Sequence, residues 1–345
     1  ATDGILIADE VGLGKTIEAG LIWTEFRQRF DFRRLMVICP AMLREKWKKE
    51  LINRFGVEAD IVDSKQCLGR FNRARDEGFR GRFAMIGSMQ GLRPRRKWAD
   101  PGKSTGAAGE LARFLRDQEN EEPLVDLTII DEAHYLRNSH TMTNLLARLL
   151  RGVSQYVVLL SATPIHLKSD DLFQLLHLVD EDTFDQPAAF KAIMEASRPL
   201  VLIRDLLHSG AFSRESLLED LESARLNPLL RTNRQLADLI NNWPTEKKLA
   251  EKKVITDISA KLEVLNPLGH VVSRTRKKDV KGQRVVREVV AEEVPLTGIE
   301  LEVYEQVTTM VREYCEDNDG MEGFLLVTPQ RQLASSIPAA LMHWD

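Results

Sequence analysis

The segment Asp9–Lys15 combines glycines, acids and a lysine in a spacing that suits phosphate binding. It follows a short apolar run and precedes a helical pattern that opens with Thr16. Glycines let the backbone curl until several N–H groups face one anion, and the following helix adds partial positive charge. Lys15 would reach the β- and γ-phosphates of a nucleotide, and the Thr16 hydroxyl would bind Mg²⁺. Because Asp9 stands where the first glycine is usual, a glycine turn that only caps a helix is the alternative. The predicted nucleotide-binding residues are Asp9, Glu10, Val11, Gly12, Leu13, Gly14, Lys15 and Thr16.

Two adjacent carboxylates, Asp131 and Glu132, come directly after another apolar run that ends at Ile130. Such a pair at the carboxyl end of a buried strand suits a hydrolase that uses Mg²⁺. Asp131 would hold the metal, and Glu132 would position and polarise the attacking water. The alternative, two solvated acids in a loop, is disfavoured by the phosphate-binding pattern earlier in the chain.

A third pattern, Ser161 to Pro164, also ends an apolar run. Small hydroxyl side chains at this place can hydrogen-bond both to the acids and to the phosphate-binding loop, and so sense the state of the nucleotide. Alone this pattern is an ordinary turn. Together, the patterns indicate an ATP-hydrolysing site. The residues predicted to couple its parts are His134, Ser161, Ala162 and Thr163.

Short apolar runs alternate with longer amphipathic stretches in the first half of the chain, which is typical of βαβ units and a parallel sheet. Runs such as Tyr156–Leu160 are continuously apolar, as in strands covered on both faces. The predicted strands are Ile5–Asp9, Leu35–Pro40, Ala59–Asp63, Phe83–Ser88, Leu127–Asp131 and Tyr156–Ala162. The predicted helices are Thr16–Phe30, Leu43–Arg54, Thr141–Arg151 and Asp170–Val179.

The remaining segments differ in character. Proline, glycine and serine predict a loop between Arg93 and Glu110. Apolar residues recur at helical spacing over Gln186–Asn266, so we expect a helical insertion there. A strand is predicted at His270–Thr275 and a further helix at Gly298–Glu316.

Composition narrows the class of protein. Hydrophobic residues make up 43% and charged residues 29% of the 345 residues, as in a protein with a real core. No run approaches the about 18 apolar residues of a membrane span, and we expect no membrane association. With 48 Lys+Arg against 52 Asp+Glu, any nucleic-acid surface must be local. The three cysteines have no zinc-binding spacing, which suits a reduced, cytoplasmic compartment. The opening Ala-Thr-Asp, without a secretory signal, is typical of an internal segment.

These patterns resemble the superfamily 2 helicase-like ATPases and, within them, the Swi/Snf family. The first loop is similar to that family's phosphate loop, including the acid in place of its first glycine. Ser-Ala-Thr-Pro at position 161, in place of Thr-Gly-Thr-Pro, is typical of the bacterial branch. The other stretches that resemble the family are Ile38–Leu43 with Trp47–Leu51, Tyr135–Asn138, Arg274–Val280, Val294–Thr297 and Glu302–Tyr304.

The resemblance implies an α/β, RecA-like P-loop lobe with a helical insertion. We expect the ATP-binding lobe at residues 1–184, the insertion at 185–268, and, at 269–345, the end of the lobe and a connection toward a second RecA-like lobe. Lys15, Asp131 and Glu132 would be catalytic with ATP and Mg²⁺, and only together with that second lobe. The motor would move on double-stranded DNA near the bacterial nucleoid, with possible partner proteins in a larger complex. A strand-separating helicase, a restriction or phage-defence translocase, and a non-hydrolysing scaffold are the alternatives.

Contacts to nucleic acid are expected where strands end on the same edge. The predicted residues are Pro40, Ala41, Arg44, Ser88 and Gln90. Two basic groups, Arg93–Lys97 and Arg70–Arg82, are either DNA contacts or solvated surface. We interpret His166, His177 and Trp243 as structural.

Overall fold

The computed structural model describes residues 4–77, 81–99, 106–119, 121–161, 169–210, 212–275, 295–317 and 322–344. The chain divides into two compact units, Ala1–Gly282 and Gln283–Asp345. In the described part of the chain, no helix is long and apolar enough to cross a membrane.

A parallel sheet of seven strands forms the centre of the first unit, in the order β3-β4-β2-β5-β6-β1-β7. The α/β class predicted from the sequence is therefore confirmed. The predicted strands are also present, with ends that differ by a few residues. Their bounds are β1 Gly4–Ile7, β2 Arg34–Cys39, β3 Asp60–Val62, β4 Phe83–Ser88, β5 Val125–Ile130, β6 Ser154–Leu160 and β7 Val272–Ser273.

Helices connect and cover these strands. Those of the first unit before the insertion are α1 Lys15–Phe30, α2 Arg44–Phe55, α3 Ser64–Glu77, α4 Met89–Leu92, α5 Gly106–Asp117, α6 Met142–Gly152 and α7 Ser169–Val179. Short 3-10 turns lie at Ala41–Leu43 and Ala133–Leu136. The later helices are α8 Pro187–Ser209, α9 Arg214–Arg225, α10 Arg234–Asn241, α11 Glu246–Leu249, α12 Lys252–Leu265, α13 Ile299–Asp317, α14 Glu322–Ser335 and α15 Ile337–Trp344.

The strands bury both faces, and β2 shows how. Successive side chains of a strand point to opposite faces of the sheet. Met36 and Ile38 accordingly belong to one apolar cluster, whereas Leu35, Val37 and Cys39 belong to another. The helices α1 and α2 contribute buried residues to the second cluster, while α3, α5, α6 and α7 contribute to the first. The result is a three-layer arrangement, with helices on each side of the sheet.

One sequence-based expectation fails in this region, and one helix had not been predicted. The loop predicted up to Glu110 is wrong at its end, because α5 begins at Gly106 and packs Leu111 and Leu115 into the core. Residues 100–105 lie outside the described part. The helix α3 was not predicted, since its arginines obscure the buried series Cys67, Phe71 and Ala74 at helical spacing.

The helical stretch predicted over Gln186–Asn266 consists of α8 to α12, which share an apolar core of their own. The first part of α8 packs into the core of the sheet instead, because Phe190 belongs to the apolar cluster that contains the buried residues of α7. Further along α8, Leu200, Ile203 and Leu207 enter the helical core. The insertion is thus anchored to the sheet by one helix that takes part in both cores. The proposed division at residues 184 and 268 stays a prediction.

The second unit contains α13, α14 and α15 in its described residues. The helix predicted at Gly298–Glu316 corresponds to α13. Among the described residues of the second unit, the buried apolar ones are Cys315, Leu326, Leu333 and Ala340.

Candidate functional site

The three chemical patterns of the sequence follow β1, β5 and β6, which lie side by side in the order β5-β6-β1. Because these strands are parallel, their carboxyl ends share one edge of the sheet. Backbone hydrogen bonds extend past the strands: Ser161 donates to Ile7 O at 3.0 Å, and Asp131 donates to Ile38 O at 2.8 Å. The fold therefore places all three patterns at one edge.

The segment Asp9–Lys15, called the glycine loop below, runs from β1 into α1. Gly12 and Gly14 have φ values of 88° and 97°, a left-handed conformation that side-chain-bearing residues rarely adopt. Gly14 O accepts from the N–H of Ile17 at 2.7 Å and begins the helix. Lys15 Nζ donates to Asp9 O at 2.8 Å and approaches Glu10 O at 3.5 Å. The lysine thus curls back over its own loop, above the amino end of α1, where a helix attracts anions.

The chain segment at β7 holds the beginning of this loop. Ala8 N donates to Ser273 O at 2.7 Å and Glu10 N donates to Thr275 O at 3.1 Å. The carboxylate of Asp9, which is 1% exposed, accepts the N–H of Thr275 at 2.5 Å. A buried carboxylate requires such donors. Asp9, where the usual pattern has a glycine, therefore fastens the loop to a distant segment.

Glu18, one turn into α1, faces this buried acid. Burial and then the hydrogen bond and negative charge of Asp9 raise the pKa of Glu18 from 4.5 to about 7, while Lys15 acts in the opposite direction. The carboxyl group of Glu18, beside the glycine loop, therefore gains or loses its proton near neutral pH. Glu18 belongs to none of the three sequence patterns.

Asp131 and Glu132, the acidic pair, stand at the end of β5. Asp131 is 9% exposed; its Oδ2 accepts the indole N–H of Trp47 at 2.8 Å and its Oδ1 accepts the N–H of Glu132 at 2.9 Å. Glu132 has a φ of 52°, an unusual value for a residue with a side chain, and this conformation starts the Ala133–Leu136 turn. His134 Nδ1 lies 3.2 Å from Glu132 Oε2, but the approach lacks hydrogen-bond geometry.

The residue types at this edge of the sheet suit a magnesium ion. Mg²⁺ prefers carboxylate and hydroxyl oxygens together with phosphates, and Asp131 and Thr16 supply the first two types. A carboxylate can accept about four hydrogen bonds in total, and the two bonds to Asp131 occupy one site on each oxygen. Among the described residues, the other oxygen sites of Asp131 accept no hydrogen bond and could take a ligand.

Ser161 is fully buried at the end of β6, between the strands that carry the other two patterns. Among the described residues its hydroxyl has no hydrogen-bond partner, so the structure shows no bond from it to either neighbouring loop. Ala162 and Thr163, the other members of this pattern, lie outside the described residues.

The predicted nucleic-acid residues fall on two neighbouring strand ends, β2 and β4. Ala41 N donates to Gln90 Oε1 at 3.3 Å, and Arg44 Nε donates to Ala41 O at 3.1 Å. Pro40 precedes this turn. Ser88 differs, because it is buried and its hydroxyl caps α4 by accepting the N–H of Gly91 at 3.0 Å. The structure thus joins the Pro40–Arg44 turn with Gln90 and leaves Ser88 a local structural role.

A cavity of about 920 Å³ lies next to Gln90 and mixes basic with polar side chains. Part of its wall is Arg93, Arg95 and Arg96, the basic group that the sequence left open between DNA contact and solvated loop. Another part of the wall comes from the segment after the acidic pair. Its lining residues there, for which the sequence analysis gave no site role, are Tyr135, Asn138, His140, Thr141, Met142 and Thr143.

The other residues considered in the sequence, where they are described, make contacts typical of structural or surface residues. Arg70 pairs with Asp60 at 2.6 Å, and the Arg75 guanidinium lies 5.5 Å from the Phe114 ring centre. Trp243 is 7% exposed and belongs to the core of the insertion. His177 Nδ1 lies 3.0 Å from Phe184 O. His166 lies outside the described residues.

A parallel sheet with a glycine loop after one strand and an acidic pair after another defines a P-loop-type α/β lobe. The particular family follows from sequence. The chain matches the SNF2-related domain family over residues 1–336 and belongs to it. It is thus a helicase-like ATPase domain of the Swi/Snf family, as the sequence resemblance implied.

The curated relatives include bacterial proteins called RNA polymerase-associated protein RapA. The chain is 28% identical to that of Vibrio vulnificus strain CMCP6 over 285 residues, covering 81% of this chain and 26% of the relative. It is 27% identical to that of Histophilus somni over 289 residues, covering 81% and 27%. The chain therefore spans about a quarter of the length of these relatives.

Solved structures give weaker similarity. The Sulfolobus solfataricus SWI2/SNF2 ATPase core in complex with dsDNA aligns at a TM-score of 0.38 and 16% identity, over 76% of this chain and 53% of that one. The Pyrococcus furiosus Hef helicase domain aligns at 0.35 and 12% identity, over 92% and 71%. The family membership rests on the sequence match.

Proposed function

We propose that this chain is the ATP-binding lobe of a DNA-dependent ATPase that uses MgATP hydrolysis to move along double-stranded DNA. The observation that carries the proposal is the shared sheet edge, where the glycine loop follows β1, Ser161 follows β6 and the acidic pair follows β5. Family membership supports the same class of activity.

Each residue receives a role from its surroundings. The backbone N–H groups of the glycine loop and the amino end of α1 would bind the phosphates of ATP. Lys15 would leave Asp9 O and reach the β- and γ-phosphates. Asp131, with Thr16, would hold the Mg²⁺, whose charge helps to stabilise the transferring phosphoryl group. Glu132 would orient the attacking water, and His134 and Ser161 would report the nucleotide state to neighbouring loops.

Nucleic acid would bind at the adjacent strand ends. The Pro40–Arg44 turn is linked to Gln90, and Arg93, Arg95 and Arg96 stand beside it along the same cavity. Guanidinium groups suit the phosphate backbone of a nucleic acid, and such contacts carry no sequence information. We propose that DNA follows this side of the lobe, with Arg44 and Gln90 among its contacts.

The three-part division of the chain is part of the same proposal. Residues 1–184 would be the ATP-binding lobe, 185–268 the insertion, and 269–345 a connection toward a second RecA-like lobe. That lobe would supply the remaining transition-state charges, so hydrolysis would require it. We further propose that the full-length protein works in the cytoplasm, near the nucleoid, and with protein partners, since the matched relatives are named for association with RNA polymerase.

The test is ATP hydrolysis by the full-length protein with no nucleic acid, duplex DNA, single-stranded DNA or RNA. We expect duplex DNA to stimulate the rate most. Removing a general-base-type contribution costs about 10²- to 10⁴-fold in rate, which is the expected effect of Glu132→Gln. Lys15→Ala should abolish both hydrolysis and tight ATP binding. Matched controls are Glu25→Gln and Lys253→Ala, at exposed positions away from the site.

Other outcomes point to other functions. Stimulation by single strands or RNA alone, together with strand displacement, would indicate a helicase. MgATP binding without hydrolysis under any condition would indicate a non-hydrolysing scaffold.

A further inference from the structure

A buried tryptophan connects the candidate nucleic-acid turn to the acidic pair. Trp47 lies on α2, the helix that begins at Arg44, directly after the Pro40–Arg44 turn. It is 1% exposed, and its indole Nε1 donates to Asp131 Oδ2 at 2.8 Å. The two residues are 84 positions apart, so the contact exists only in the folded sheet.

The surroundings of this hydrogen bond are apolar. Trp47 belongs to the cluster formed by α1, α2 and one face of the sheet. The neighbouring Cys39 thiol has its pKa raised to about 12, first by burial and then by the charge of Asp131. In such surroundings, a hydrogen bond to a charged group is stronger and more directional than in water. The indole N–H therefore restricts the orientation of the carboxylate.

Asp131 is held by few other groups. Its Oδ1 accepts the N–H of Glu132 at 2.9 Å, and its own N–H donates to Ile38 O at 2.8 Å. These bonds come from backbone atoms at the strand end. Among the described residues, the structure shows one side-chain donor to this carboxylate, the indole of Trp47. A phenylalanine at position 47 would fill much of the same space but has no donor.

We propose that Trp47 is a positioning residue, which holds the Asp131 carboxylate in the orientation that binds the metal ion of the nucleotide. The inference rests on the proposed function, in which Asp131 binds the Mg²⁺ of MgATP. Groups that hydrogen-bond a metal ligand from outside typically change metal affinity by about 10- to 100-fold when they are removed. Trp47 also belongs to the helix of the candidate nucleic-acid turn, so one side chain joins the two regions.

The chain offers a matched control in Trp23. This residue lies on α1, is 3% exposed and belongs to the same apolar cluster. Its indole N–H has no hydrogen-bond partner among the described residues. Trp23→Phe and Trp47→Phe therefore remove the same atoms from the same core, and only the second removes a donor from Asp131.

The experiment measures binding of adenylyl imidodiphosphate to the full-length protein over a Mg²⁺ titration, by calorimetry. For Trp47→Phe we expect the Mg²⁺ concentration at half-maximal binding to rise by about ten-fold or more, while affinity without Mg²⁺ is unchanged. Trp23→Phe should behave as the natural protein in both conditions. If Trp47→Phe does not fold, 3-benzothienylalanine at position 47 replaces only the N–H by sulfur and serves instead.

The outcomes separate the two proposals. A Mg²⁺ titration of the Trp47 variants that coincides with that of Trp23→Phe would overturn the positioning role and leave the proposed function intact. If Asp131→Asn and the natural protein respond alike to Mg²⁺, the metal-binding role of Asp131 fails and this inference fails with it.

Discussion

Asp126 holds the amino ends of the two central strands together, opposite the candidate site. It lies in β5 and is paired with Arg34 of β2; the two side chains are 8% and 6% exposed. Its Oδ1 accepts from Arg34 Nε at 2.8 Å and Nη2 at 2.5 Å, and its Oδ2 accepts the backbone N–H groups of Arg33 and Arg34 at 2.6 and 2.8 Å. Asp126→Ala removes every one of these acceptors at once.

The expected cost follows from what stays behind. Removing one partner of a buried ion pair typically costs about 3–5 kcal/mol, because the other charge stays buried and loses that partner. A buried N–H without an acceptor costs a further about 1–3 kcal/mol, although water at the end of the sheet can replace part of this. We therefore expect Asp126→Ala to lower the free energy of unfolding by about 4 kcal/mol.

Chemical denaturation, followed by far-UV circular dichroism and tryptophan fluorescence, measures this change. The matched control is Glu25→Ala, which breaks the exposed Arg29–Glu25 pair within α1 and should cost less than about 1 kcal/mol. In a double-mutant cycle with Arg34→Met, the coupling energy should reach about 2 kcal/mol. If Asp126→Ala costs no more than Glu25→Ala, the buried pair does not hold the two strands and the reasoning is refuted.

Three further substitutions concern α1 and α3. Burial and the neighbouring Asp9 raise the pKa of Glu18 from 4.5 to about 7, so the folded protein holds a proton that the unfolded chain loses; stability should fall as pH rises between these values. Glu18→Gln should remove that part of the pH dependence. Denaturation across this pH range measures the effect, and an unchanged slope would contradict it. Gly20→Ala should destabilise the protein, because the added Cβ would lie 2.2 Å from the Phe55 ring. Gly69→Ala adds a methyl group to open space in α3 and should raise the stability by up to about 1 kcal/mol. Thermal melts of the two glycine variants should shift in opposite directions.

The sheet was predictable because the physics of its strands is local. Continuous apolar runs such as Leu35–Cys39 have one interpretation once glycine or proline ends them and amphipathic stretches separate them. The helical insertion was predictable for a similar reason, since Leu200, Ile203 and Leu207 recur at the helical period and all are buried. Such patterns predict only the helix or strand that contains them.

Elements with a mixed surface were harder to predict. In α3, arginines lie between Cys67, Phe71 and Ala74, and the buried stripe is short. The start of α5 follows a segment rich in proline and glycine, which the sequence extends as a loop although Gly106 already opens the helix. Tertiary packing decides these cases, because each helix contributes residues to the same core cluster.

In the candidate site, the sequence indicated residue types but not their partners. Spacing identified Asp9 and Asp131, yet nothing in the sequence pairs them with Thr275 or Trp47, which lie 266 and 84 positions away. Even a correct strand order does not identify which side chain donates a hydrogen bond to a buried carboxylate. Such bonds depend on the register of neighbouring strands and on the rotation of the covering helix.

Asp9 shows how these partners join the parts of the lobe. Its carbonyl accepts Lys15 Nζ, while its carboxylate accepts the N–H of Thr275. If Lys15 moves to the phosphates of a nucleotide, Asp9 loses one of these contacts and keeps the other, because the carboxylate is buried and needs its donor. The glycine loop and the strand before it are bonded to residues 271–275, which extend the backbone hydrogen bonds of β7 with β1. If the proposed function is correct, the acid that replaces a glycine in the phosphate-binding pattern would link the nucleotide to the segment that follows the helical insertion.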